Sequence, residues 1–137
     1  MCIRDRGGQG PIGPSDARFA QSSTNILDWT GSPQVVQTLA LPAGLWVVVS
    51  KVLANNNGAG NPTVDCDLTA GATVIDDGFD IGRVGDASVD DREYFTYFGT
   101  VNLPAGGTVT LTCAVPGGSS GNWLNRRIFG IRVGSLG

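Results

Sequence analysis

The chain has 137 residues, 41% of them hydrophobic and 15% charged, with a mean hydropathy of +0.06 and a net charge of -3. That composition excludes a disordered chain and gives a single domain able to bury a core, while the longest apolar run, from Leu45 to Val49, is far short of the roughly 20 residues of a membrane-spanning helix. The absence of histidine removes Ser-His-Asp and Cys-His catalysis and histidine-based zinc sites, and an isoelectric point near 4.6 argues against a nucleic-acid partner.

The first six residues, Met1 to Arg6, carry no periodic pattern and lack the apolar segment of a secretory leader. They read as a non-native leader, and Cys2 is set aside with them. From Gly7 to Ser15 glycine falls at every third position, with Pro11 and Pro14 both in the second slot of their triplets. A collagen triple helix requires this spacing, because only glycine fits where three polyproline-II chains meet at the axis. The segment therefore reads as the end of a collagen-like stalk, with a flexible Gly/Pro linker the alternative, and residues 16 to 137 as a head domain.

The head reads as all-β. Glycine occurs 21 times, but lysine and glutamate only once each, so two strong helix formers are nearly missing. Val, Thr, Ile and aromatic residues punctuated by Gly, Pro, Asn and Asp point to strands and tight turns. A short first strand is expected over Ala17 to Ala20. Gln34 to Leu41 alternates weakly, with Val35, Gln37, Leu39 and Leu41 opposed to Val36, Thr38 and Ala40. Leu45 to Ala54 is apolar on both faces, as in a strand covered on both sides. Asn55 to Asn61 reads as a turn.

Thr63 to Thr69 alternates cleanly, with Val64, Cys66 and Leu68 inward; Gly107 to Val115 does the same with Val109, Leu111, Cys113 and Val115. Between them, Arg92 to Leu103 places Tyr94 and Phe98 on one face and Phe95 and Tyr97 on the other. Arg127 to Val133 closes the chain, with Phe129, Ile131 and Val133 facing one way. Short strands at this spacing predict an antiparallel sandwich of jelly-roll type. The tetrapeptide Leu-Pro-Ala-Gly occurs twice, at residues 41–44 and 103–106, and marks two equivalent hairpin-type corners.

Collagen-type triplets, a β-rich head, the Leu-Pro-Ala-Gly corner before Leu45 to Val52, and the run Val64 to Gly71 form one ordered series. It continues with the second corner leading into Thr108 to Cys113, and ends in the strand Ile131 to Leu136. Together these resemble bacterial and phage collagen-like proteins with a C-terminal C1q/TNF-like jelly-roll head. The resemblance implies a homotrimer that aligns a triple helix, a cell-surface glycan or protein receptor, and an extracellular, cell-surface or virion location. The stretch from Ile75 to Asp91 matches no part of that pattern.

The patterning of two strands also favours trimerisation. The strands at 45–54 and 92–103 offer apolar or aromatic side chains both ways, more than a monomer with polar outer faces needs. Tyr94, Phe95, Tyr97, Phe98, Trp46 and Val48 are thus the candidate trimer interface, the alternative being that these strands lie deep in a monomer's own core. Cys66 and Cys113, both inward, are candidates for a disulfide, with buried thiols the alternative. Trp123, Asn125, Arg126 and Arg127, beside Asn122, form a candidate ligand patch, since Trp and Arg are favoured at binding hot spots; the alternative is a turn with Trp123 in the core. Asp76, Asp77 and Asp80 begin a run of seven acids ending at Glu93. They could hold Ca2+, though their spacing fits no EF-hand and a solvated loop is the simpler reading. Carboxylate-based glycoside hydrolysis has no apolar pocket to raise one pKa, so no catalysis is expected. The expected function is the non-enzymatic trimerisation and target-binding head of a surface or tail fibre. The alternative is a monomeric carbohydrate-binding sandwich.

Overall fold

The computed structural model describes residues 16–23, 26–77, 82–83, 92–117 and 120–134. The leader, the Gly-x-y triplets and Asp80 lie outside the described residues. Among the described residues ten strands follow in chain order: β1 (Ala17–Ser22), β2 (Leu27–Asp28), β3 (Gln34–Leu41), β4 (Gly44–Asn56), β5 (Thr63–Ala70), β6 (Thr73–Asp77), β7 (Gly82–Arg83), β8 (Arg92–Leu103), β9 (Gly107–Ala114) and β10 (Gly121–Val133). Their positions follow the residue chemistry: β-branched and aromatic runs form the strands, and Pro, Gly and Asn close them.

The first sheet has the order β1-β10-β4-β8, with β2 also on β10; the second has β3-β9-β5-β6, with β7 also on β5. All pairings are antiparallel, and they nest from the outside inward: β1 with β10, β3 with β9, β4 with β8, β5 with β6. One long antiparallel ribbon rolled so that alternate segments fall in opposite sheets gives this order, and that is a jelly roll. The fold class expected from the sequence is therefore the one present.

The two Leu-Pro-Ala-Gly corners carry the chain between sheets and do not close hairpins. Residues 41–44 join β3 of the second sheet to β4 of the first, and residues 103–106 join β8 back to β9. The corners pack on each other, with Gly44 opposite Leu103 and Leu41 opposite Gly107. At Gly106, with φ 79°, an added Cβ would stand 3.0 Å from the Leu41 carbonyl oxygen, so the second corner needs glycine for both space and conformation.

Inner faces meet as expected of a sandwich. Trp46, Val48, Val52 and Ile128 from the first sheet pack on Leu68, Val109 and Leu111 from the second. Trp46 Nε1 donates to the Pro42 carbonyl at 3.0 Å, which ties the first corner to the core. Trp29 and Trp123 pack with centroids 5.6 Å apart, and Trp123 Nε1 donates to Gln34 Oε1 at 3.2 Å. Cys66 and Cys113 are directly opposed on β5 and β9 and form a disulfide in the core. In β3 a register shift between Val35 and Gln37 reverses the face: Val36, Leu39 and Leu41 are buried, while Val35 is exposed.

Candidate functional site: the outer face of the first sheet

On β4 and β8 alternation sends Trp46, Val48, Val52, Tyr97 and Val101 inward and Val49, Lys51, Tyr94 and Phe98 outward, while Leu53, on the outward parity, is also buried. The expected interface set is therefore split. Trp46, Val48 and Tyr97 belong to the chain's own core, so they are not interface residues, and Phe95 packs partly buried against that core. They are large apolar side chains on the inward parity of their strands, which the sequence alone could not tell from the outward parity. Tyr94 and Phe98 remain outside.

The outward residues fall into register. Phe19 of β1 lies opposite Phe129 of β10, Phe129 opposite Val49 of β4, and Val49 opposite Phe98 of β8. A single apolar row thus crosses all four strands of the sheet path, about 14 Å at the usual strand spacing of about 4.8 Å. Its members stay in water: Phe98 is 69% exposed, Phe19 55%, Val49 38% and Phe129 37%. The next rung toward the corners adds Ala17, Ile131 and Val47, and the one beyond it Val133 and Leu45.

The other half of this face is cationic. One rung up stand Gln21, Arg127, Lys51 and Thr96, in that order across the sheet. Lys51 Nζ lies 4.0 Å from the centre of the Tyr94 ring, and Asn125 Nδ2 donates to the Tyr94 hydroxyl at 3.2 Å. Arg92 Nε donates to Asn55 Oδ1 at 3.3 Å, while Asn55 Nδ2 reaches Asn122 Oδ1 at 3.2 Å. Among the described residues the ion pair present joins Arg18 to Asp16, so Lys51, Arg92 and Arg127 have no described carboxylate partner. The second sheet carries the opposite charge: Asp65, Asp67 and Asp77 lie together on β5 and β6, with Asp67 opposite Asp77. Burial, followed by the charges of Asp65 and Asp77, pushes the Asp67 carboxyl up from its usual range.

The expected ligand patch does not converge on one surface. Trp123 is fully buried in the core, so it is no stacking platform; its indole fills the end of the sandwich against Trp29. A bulge between Leu124 and Arg127 then sends Arg126 inward and Arg127 outward, with Asn125 at a φ of 45°. Asn125 and Arg127 join the cationic half of the outer face, together with Lys51 and Tyr94. Only the register of β4, β8 and β10 brings these residues together.

The acidic candidates are placed only in part. Asp76 Oδ2 accepts from the Phe98 amide at 3.0 Å, which fastens β6 beside β8 and occupies that carboxylate. Among the described residues no three metal-ligating side chains gather at one point.

The class defined is an antiparallel jelly-roll sandwich with one outer sheet face half apolar and half cationic. No family model and no curated protein matches the chain. Among solved structures it is similar to a chain of infectious bursal disease virus, Gx strain, with a TM-score of 0.48 at 9% identity. The match covers 90% of this chain but 35% of the viral one, so this chain spans about a third of that protein's length.

Proposed function

We propose that the protein is a non-enzymatic head domain that self-associates as a trimer through the outer face of its first sheet and presents its remaining surface to a target. The observation that carries this reading is the four-strand row Phe19, Phe129, Val49 and Phe98, left in water on a chain with a full core of its own. An exposed apolar band of this continuity belongs to an interaction surface, not to a solvated sheet. The number three is drawn from the Gly-x-y spacing of residues 7–15, because a triple helix needs three chains in register.

The core disulfide supports an oxidising, extracellular setting such as a cell surface or virion, where such bonds persist. Valency would let a trimeric head bind a surface glycan or protein through weak individual contacts. The alternative, a monomeric carbohydrate-binding module, loses its intended stacking residue, since Trp123 is inside the core. Native mass measurement of the whole chain tests the proposal. Three copies are expected, and a single copy at micromolar concentration would overturn it.

A further inference from the structure

A closed ring of three copies cannot be built by pressing one surface against itself. Its contacts are heterologous: a patch on one copy meets a different patch on the next. The trimer proposed above therefore needs a second surface that complements the outer face of the first sheet, apolar along the Phe98 row and cationic around Lys51 and Arg127.

The β5–β6 margin of the second sheet has that character. Asp67 and Asp77 lie directly opposite each other there, both exposed, with Asp65 on the same face of β5. Like charges directly opposed on a sheet are destabilising. The ion pair among the described residues joins Arg18 to Asp16, which leaves Asp67 and Asp77 without a described cation. Lys51 and Arg127, also directly opposed, repeat the arrangement with the other sign. In both pairs the Cβ atoms are about 5 Å apart, so two acids of one copy meet two cations of another at matched spacing. Val74 extends the match. It is 58% exposed and lies opposite Thr69, on the outward face that Asp67 and Asp77 share. It stands about 10 Å from Asp77 along β6, and the apolar rows begin about 7 Å from Lys51 along β4. Acid meets base and valine meets the apolar rows in one placement.

The position also suits a closed ring. β6 ends its sheet and is fastened beside β8 by the bond from the Phe98 amide to Asp76. A margin can meet a neighbour's face within a ring, whereas opposite faces of a sandwich would stack into an open filament. We propose, resting on that trimer, that the β5–β6 margin of each copy docks on the outer face of the next copy's first sheet, with Asp67 and Asp77 paired to Lys51 and Arg127. Each pair then relieves the like-charge repulsion of the other.

Lys51 is the one lysine in the sequence, so carbodiimide coupling, which joins an amine to a carboxylate in contact with it, reads its partner directly. Unlabelled and heavy-nitrogen-labelled chains are mixed, assembled, coupled and digested, and the joined peptides are identified by mass spectrometry. Lys51 is expected to be linked to Asp67 or Asp77 in peptides of mixed label. Lys51→Glu and Asp77→Lys should each weaken association at least about tenfold, and the double variant should restore it to within about threefold of wild type. Should a single variant not fold, the coupling pattern of the wild-type chain decides alone. Native mass showing only single copies would overturn the trimer and this docking with it. A trimer whose Lys51 couples to other carboxylates or to none, or whose folded double variant stays as weak as the single ones, would overturn the docking while leaving the trimer.

Discussion

Replacing Phe98 with threonine isolates the outer apolar row from the rest of the molecule. Phe98 is 69% exposed and points away from the core, and its main-chain amide keeps its bond to Asp76 whatever the side chain. Threonine preserves strand propensity, so the monomer's stability should change by no more than about 0.5 kcal/mol. With about 200 Å2 for a phenylalanine, the exposed part of Phe98 is about 140 Å2, worth about 3.5 kcal/mol if another copy covers it. The three phenylalanines together leave about 320 Å2 in water, or about 8 kcal/mol of gross association energy per protomer. Association itself costs on the order of 4–15 kcal/mol, so losing most of the Phe98 contribution should weaken each contact about 100-fold. Sedimentation equilibrium over a range of concentrations reads this directly. An unchanged mass distribution, with the variant folded and melting like wild type, would refute the reasoning.

Other consequences follow from the same geometry. Reducing the disulfide, or replacing Cys66 and Cys113 with alanine, releases a loop of 47 residues' separation and should cost about 4 kcal/mol by the chain-entropy argument, read by urea unfolding with and without reductant. Gly99→Ala would place a Cβ 2.6 Å from Ile75 Cγ2 and 2.8 Å from its carbonyl oxygen, so β6 must move; unfolding free energy should fall by about 1–3 kcal/mol. The Asp67 carboxyl has its pKa raised in the folded state, so folding binds its proton more tightly. That contribution is fully present below the usual carboxylate pKa and is lost as pH rises through the raised one. Asp67→Asn should therefore be the more stable protein at neutral pH, with an advantage that shrinks to nothing on acidification; thermal melts across pH check it.

Much of the framework was legible because the strands advertise themselves. The strand at 92–103 has the bounds expected of it, and those at 34–41, 63–70 and 107–114 agree to within a residue. Clean alternation in Val64, Cys66 and Leu68 and in Val109, Leu111 and Cys113 announced the inward faces correctly, and with them the cysteines now joined. Bulges hid the rest. The slip at Val35–Gln37 made β3 look weakly alternating, and the one before Arg127 made a strand that begins at Gly121 look as though it began six residues later. The short strands β2 and β7 and the acidic strand β6 carry no hydrophobic period to detect. Trp123 misled for a different reason: beside Asn and Arg it reads as a surface platform, and only Trp29 and Gln34, distant in sequence, turn it into core.

In the proposed trimer the row of Phe19, Phe129 and Phe98 is dry. Hydroxyl-radical footprinting at increasing protein concentration measures the water access of those rings one by one. Their oxidation should fall together as the chain associates, while solvent-facing Val35 on the other sheet keeps its rate. Rings that stay as reactive in the assembled species as in dilute monomer would contradict the account.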